Sequence, residues 1–210
     1  MSILSKVMNS DTYKTIKEAS EGLYKEKGSK FIALAYPVAC EEEAKEHIAH
    51  LKKEYYNARH HCYAYMLGAD KLEFRANDDG EPSSTAGKPI LGQILSNDIT
   101  NILIVVIRYF GGTKLGVSGL IQAYKAAAAD AISNAEIIEK TINDIYDINF
   151  DYLAMNDVMK IIKDDQPEQL GQDFNLRCKI TLSIRQSEVD KIIEKFLKIE
   201  GVKPKYLHTI

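Results

Sequence analysis

The strongest constraint on the fold is one run of six apolar residues, Ile-Leu-Ile-Val-Val-Ile, at positions 102–107. Five of these six side chains are β-branched, which favours a strand over a helix. A short apolar run without polar alternation is typical of a strand that is buried on both faces. The sequence therefore predicts that residues 102–107 form the central strand of a sheet.

A long helix is predicted after this strand, at residues 116–137. Apolar side chains such as Leu120, Tyr124 and Ala128 recur there at helical spacing. Many of these residues are alanines, whose small side chains allow a helix to lie close to a sheet.

The chain before the central strand alternates between extended and helical patterns. The predicted elements are extended chain at 11–37 with a turn at 26–29, a helix at 41–56, a strand at 59–67, its antiparallel partner at 71–76 and a short helix at 87–96. These elements with the central strand and the long helix predict an N-terminal α/β domain over residues 1–138.

The pattern restarts after residues 138–141 and predicts a second, smaller domain at 139–210. Strands are predicted at 142–152, 176–184 and 203–209, and helices at 154–164 and from residue 187. This order indicates the β-α-β-β-α-β plan of ferredoxin-like domains. The fold class is therefore α+β.

Composition predicts a soluble, cytoplasmic protein. The 210 residues are 45% hydrophobic and 27% charged, and no stretch is long and apolar enough to predict a membrane span. Three dispersed cysteines indicate reduced thiols. A net charge of −3 gives no global reason to expect nucleic-acid binding, although a local basic face is compatible with it.

Residues 108–116 lie between the central strand and the long helix. Glycines allow close approach of the backbone, and the start of a helix favours anions. The candidate anion-binding residues here are Arg108, Tyr109, Gly111, Gly112, Lys114 and Gly116. No complete phosphate-loop motif is present, and a tight structural turn explains the same glycines.

Residues 77–89 precede the short helix and are rich in acidic and hydroxyl side chains. The candidate ligand-binding residues are Asp78, Asp79, Glu81, Ser83, Thr85 and Lys88. Neighbouring carboxylates can hold a cation or share a proton, whereas turn formation and helix capping are equally compatible with this composition. If the two stretches meet, Asp79 or Glu81 is expected to pair with Arg108.

Two further clusters are weaker candidates. Arg59 and His60 are possible accessory site residues, but on a strand only His60 and Cys62 share a face, and no metal site is predicted. Arg177, Lys179 and Arg185 form a basic row on the polar face of the second domain's sheet, either a nucleic-acid contact or a solvated surface.

These two stretches, with the sequence Ala58-Arg59-His60 before the third strand, resemble the IMPACT family and in particular its bacterial YigZ-like members. The resemblance covers both domains, from about residue 11 to 209. The family pattern often has glycine at Ser84, a glycine pair at Ser118-Gly119, and arginine at Gln122. The last difference removes a positive charge near the candidate site.

The resemblance implies a ribosomal-protein domain-two-like fold for the N-terminal domain, shared with domain four of the translocation elongation factor. It implies a ferredoxin-like C-terminal domain similar to domain five of that factor. The expected function is regulation of translation through contact with RNA, the ribosome or a translation-associated protein. No cofactor is expected. The alternative is an enzyme or binder of a small phosphate ligand that uses residues 78–85 and 108–116; the sequence favours a protein without catalytic activity.

Overall fold

The computed structural model describes residues 11–175 and 177–210 of the chain. The chain divides into two compact units, residues 13–140 and residues 141–210, and residues 11 and 12 group with the second. Each unit has a hydrophobic core of its own. The mixture of helices and strands confirms the predicted α+β class.

The first unit is built on a five-stranded antiparallel sheet in the order β2-β3-β6-β4-β5. The elements up to residue 141 are β1 (Thr12–Ile16), β2 (Ser20–Glu26), β3 (Ser29–Pro37), α1 (Glu41–Glu54), β4 (His60–Leu67), β5 (Glu73–Asn77), α2 (Gly87–Ser96), β6 (Ile102–Tyr109), α3 (Gly116–Ser133) and β7 (Ile137–Thr141). β1 and β7 pair with each other in a separate two-stranded sheet.

β6 is the central strand, as its apolar run predicts. Ile104 and Val106 belong to the core that α2 and α3 complete on one face of the sheet. Val105 and Ile107 belong to the core that α1 completes on the other face. Each of these side chains is fully buried and stabilises the fold by about 1.5–3 kcal/mol.

α3 lies close to the sheet, as its alanines predict. A Cβ atom on Gly22 of β2 would lie 2.2 Å from the backbone nitrogen of Ala131, so only glycine fits at this crossing. The predicted end of the helix at residue 137 is wrong, because α3 ends at Ser133. The chain turns there into β7, and the Glu136 carbonyl oxygen accepts the N–H of Lys17 at 2.9 Å.

The second unit has the predicted ferredoxin-like topology. Its elements are β8 (Asn143–Phe150), α4 (Met155–Asp165), β9 (Glu168–Phe174), β10 (Cys178–Arg185), α5 (Val189–Leu197) and β11 (Lys203–Thr209), with short 3-10 turns at Tyr152–Ala154 and Gln186–Glu188. The sheet order is β11-β8-β10-β9. The core consists of alternate residues of β8 and β10 and the apolar stripes of α4 and α5.

β9 is the one strand of this unit that the sequence pattern did not locate. All seven of its residues are exposed, so no alternation of apolar and polar side chains marks it. It is a strand because it pairs with β10 at the edge of the sheet. The predicted strand at 176–184 starts at a residue outside the described part of the chain, and β10 runs on to Arg185.

Within the described residues, no helix is long and apolar enough to cross a membrane.

Candidate functional site

Residues 77–89 and residues 108–116, which we call the signature stretches, meet at a buried ion pair between Glu81 and Arg108. Arg108 Nη1 donates to Glu81 Oε1 at 2.6 Å, and the two side chains are only 8% and 4% exposed. The Tyr124 hydroxyl of α3 donates to the same oxygen at 2.8 Å. Of the two carboxylates expected to pair with Arg108, it is therefore Glu81 that does so, and Tyr124 is a third member that the sequence did not identify.

Two phenylalanine rings flank the Arg108 guanidinium. Its central carbon lies 5.4 Å from the ring centre of Phe31, which is buried, and 5.7 Å from that of Phe110, which is exposed. Cation–π contacts of this kind stabilise a guanidinium that has been removed from water. Arg108 Nε has no hydrogen-bond partner among the described residues. Arg108 is thus held inside the protein rather than presented to solvent.

The Asp78 carboxylate organises the start of α2. It accepts hydrogen bonds from the backbone N–H groups of Ser84, Ala86 and Gly87, at 2.8, 3.0 and 2.9 Å. A negative charge here also interacts favourably with the helix dipole. Helix capping was one alternative for this stretch, and it is Asp78 rather than a hydroxyl side chain that binds the N–H groups there. The Thr85 hydroxyl donates to the Pro82 carbonyl oxygen at 2.7 Å.

Asp79 ties the same loop to α1 and β4. Its carboxylate accepts hydrogen bonds from Lys52 Nζ at 2.9 Å and from the His61 N–H at 2.7 Å, and its carbonyl oxygen accepts one from His60 Nδ1 at 2.9 Å. Burial alone would raise the pKa of Asp79, but the hydrogen bonds from Lys52 and the His61 N–H outweigh it and lower that pKa. Burial also lowers the pKa of the His61 imidazole, which favours its neutral form.

Cys62 and Tyr124 extend this network into the core. Cys62 Sγ lies 3.0 Å from the Asp78 carbonyl oxygen and 3.3 Å from the Tyr124 hydroxyl oxygen. Burial raises the pKa of both the Cys62 thiol and the Tyr124 hydroxyl far above their ordinary values. A nucleophile needs a lowered pKa or an adjacent base, so both groups are set up for structure rather than for attack.

The remaining candidates of these stretches lie at the surface. Ser83, Lys88, Arg59 and the residues 110–114 are exposed. Gly111 packs against the β2–β3 turn, where a Cβ on it would lie 1.9 Å from the carbonyl carbon of Gly28, and Gly112 and Gly116 have φ of 89° and 75°. The hydroxyl of Tyr109, a half-buried residue, donates to Asn57 Oδ1 at 2.8 Å. Across the described residues, no group of three or more His, Cys, Asp or Glu is placed to hold a metal ion.

The basic row of the second unit is largely paired. Arg185 donates to both carboxylate oxygens of Asp11, at 2.5 and 2.9 Å, and these hydrogen bonds lower the pKa of Asp11. Lys179 Nζ lies 4.0 Å from a carboxylate oxygen of Asp147. Arg177 is exposed and is the one member of the row without an ion pair in the described part of the chain. This face is less cationic than its sequence indicates.

The chain matches a known protein family in sequence and a solved structure in fold. The family described as the Impact N-terminal domain matches residues 27–132, which include both signature stretches. The chain is 37% identical over 155 residues to the IMPACT family member YvyE of Bacillus subtilis, covering 74% of this chain and 71% of that protein. It is 29% identical over 171 residues to the IMPACT family member YigZ of Escherichia coli, covering 80% and 84%. A crystal structure of a hypothetical protein superimposes with a TM-score of 0.73 at 25% identity, covering 94% and 98%.

Proposed function

We propose that this chain, which belongs to the IMPACT family, is a cytoplasmic binding protein without enzymatic activity that regulates translation through contact with RNA or the ribosome. The family resemblance implies regulation of translation and contact with RNA or the ribosome, because it relates the two domains to modules of a translation elongation factor. Binding in place of catalysis is supported by the site itself.

The observation that carries the proposal is that the three carboxylates of the signature stretches are all hydrogen-bonded within the protein. Glu81 is bonded to Arg108 and Tyr124, Asp78 to three backbone N–H groups, and Asp79 to Lys52 and the His61 N–H. A general base needs an oxygen atom that faces the substrate, and a cation ligand needs one that faces the ion. These carboxylates instead hold the surrounding loops in one conformation.

A preorganised surface is the result of this internal bonding. The loop 110–114 is exposed but is anchored at both ends, by the buried Arg108 and by α3. A rigid surface loses less conformational entropy when a partner binds it. The signature stretches therefore support a surface that recognises a large partner, without themselves forming a reaction centre.

Co-sedimentation with purified bacterial ribosomes tests the proposal. The protein is expected to pellet with ribosomes at about 50 mM salt and to leave the pellet progressively as salt rises to about 200 mM, because phosphate contacts weaken with salt. A sample without ribosomes is the control for aggregation. If the protein stays in the supernatant at the lowest salt, or if salt has no effect on pelleting, contact with ribosomal RNA is refuted.

A further inference from the structure

Five cationic side chains lie at one end of the five-stranded sheet. In register, Lys30 at the start of β3 lies opposite Tyr109 at the end of β6, and His60 at the start of β4 lies opposite Arg108. The ends of β2 and β6 and the starts of β3 and β4 are therefore neighbours. The cations carried there are Lys25, Lys27, Lys30, Arg59 and Lys114, which we call the basic sheet end.

The β2–β3 turn and the loop after β6 are in direct contact at this end. The Gly111 N–H donates to Ser29 Oγ at 3.1 Å, and its Cα faces the Gly28 backbone. Lys27 precedes this contact in the turn, and Lys114 follows it in the loop. All five cations of the basic sheet end are exposed, and none forms an ion pair with any residue that the structure describes.

Lys25 and Lys30 are direct cross-strand partners. Like charges in this position destabilise an antiparallel pair. The nearest acid in sequence, Glu26, lies on the other face of the hairpin, where it accepts a hydrogen bond from the Tyr24 hydroxyl at 3.0 Å. Neither lysine has an ion-pair partner among the described residues, so the pair costs stability, as is expected of a surface that meets an anionic partner.

Two acidic residues near the basic sheet end are engaged with other partners. Glu81 is buried against Arg108, and Asp79 is paired with Lys52. The chain as a whole carries a charge of −3, so this end differs in sign from the average of the molecule. Such a local field attracts polyanions and increases their rate of association.

Two exposed aromatic rings lie in loops at the same end of the sheet. Phe110 is 57% exposed in the loop after β6, and Tyr56 is 82% exposed in the loop between α1 and β4, next to Asn57, which is bonded to Tyr109. Exposed rings can stack with unpaired bases, whereas the bases of an RNA duplex are already stacked and paired.

We infer that the basic sheet end is a binding surface for single-stranded RNA, in which the cations contact phosphates and Phe110 and Tyr56 stack on bases. The inference rests on the proposed function and specifies the surface and the form of RNA. It differs from the sequence-based candidates for a nucleic-acid contact, Arg177, Lys179 and Arg185, which lie in the second unit.

Fluorescence polarisation with a labelled oligouridine of about 15 nucleotides tests this inference on the full chain. The first variant, Lys25→Gln/Lys27→Gln/Lys30→Gln, is expected to reduce the slope of log affinity against log salt by about 2, since each phosphate contact with a single strand contributes about 0.7. The second variant, Phe110→Ala, is expected to weaken binding about fivefold or more through lost stacking.

A matched control applies the same charge change to the second unit, where Lys160→Gln/Lys163→Gln/Lys198→Gln alters three exposed lysines. It is expected to leave the slope close to that of the wild-type protein. Circular dichroism spectra and melting curves of each variant establish that it is folded.

Four outcomes decide the inference. Weakened binding in both sheet-end variants but not in the control supports it. Equal effects of the two lysine triples overturn the assignment to the basic sheet end, while the proposed function stands if ribosomes still pellet the protein. Equal or tighter binding of an RNA duplex of the same length overturns the single-strand assignment. Absence of oligouridine binding by the wild-type protein overturns the inference altogether, and the ribosome experiment then decides the proposed function separately.

Discussion

Replacement of Arg108 by methionine is expected to destabilise the first unit by about 3–5 kcal/mol, because it leaves the Glu81 carboxylate buried without a counter-ion. The Glu81 side chain is only 4% exposed and so is shielded from water, and among the described residues the Tyr124 hydroxyl is its one remaining donor. The loss is a large part of the stability of an ordinary domain, which is about 5–15 kcal/mol.

The double variant sharpens this prediction. Glu81→Gln should destabilise the wild-type protein but stabilise the Arg108→Met protein, because in that background it removes an unpaired buried charge. Coupling of about 1–3 kcal/mol is expected from the cycle. Lys17→Met is the matched control, since the Lys17–Glu136 pair is 56% exposed on each side and its loss should leave the unfolding midpoint nearly unchanged.

Urea unfolding followed by far-ultraviolet circular dichroism measures these differences, because the chain has no tryptophan to report by fluorescence. The reasoning is refuted if Arg108→Met costs no more than Lys17→Met. It is also refuted if Glu81→Gln destabilises both backgrounds equally, because the two residues would then act independently.

Three further predictions concern packing and titration. Gly111→Ala should lower the free energy of unfolding by about 1–3 kcal/mol, because the added Cβ would lie 1.9 Å from the carbonyl carbon of Gly28. At Gly92, in contrast, an added Cβ would meet no neighbouring residue within 4 Å, so Gly92→Ala should raise the free energy of unfolding by up to about 1 kcal/mol; melting curves distinguish the two variants. The free energy of unfolding should fall as pH drops below 6.5, since burial lowers the pKa of His61 and the unfolded chain then binds a proton that the folded chain does not. His61→Gln should flatten this pH dependence, and an unchanged slope in that variant would contradict the prediction. In the native protein a thiol reagent should modify the half-buried Cys40 and spare Cys62, whose thiol is buried and has a raised pKa; rapid modification of Cys62, located by mass spectrometry, would contradict this.

The central strand, the helices and the ferredoxin-like unit could be predicted because each is marked by local periodicity. β6 and α3 carry their patterns in consecutive residues, and only the end of α3 was placed wrongly. β9 could not be predicted, since its exposed side chains carry no periodic signal and only its pairing with β10 makes it a strand.

The candidate site could be predicted in part. The pairing of Arg108 with one of two nearby acids followed from the expectation that the two stretches meet. Tyr124 belongs by its spacing to the apolar stripe of α3, and its hydroxyl is the one signal in the sequence that it also needs a polar partner. The capping role of Asp78 depends on a loop that returns its carboxylate to the start of α2, nine residues later, and no local motif encodes that.

The basic sheet end could not be predicted, for a different reason. Lys30, Arg59 and Lys114 are far apart in the sequence, and only the register of β3, β4 and β6 brings them to one end of the sheet. The basic row of β10, in contrast, was visible in the sequence, but Asp11 and Asp147, which pair with two of its members, are distant in the chain. Charge clusters are therefore poorly predicted from sequence when the opposing charges come from other elements.

Ultraviolet cross-linking of the protein bound to ribosomes, followed by mass spectrometry of the RNA-linked peptides, tests the central claim most directly. We predict that RNA is attached to peptides containing Tyr56 or Phe110, the exposed rings of the basic sheet end. RNA-linked peptides confined to residues 177–185, or a bound protein from which no peptide carries RNA, would contradict the account.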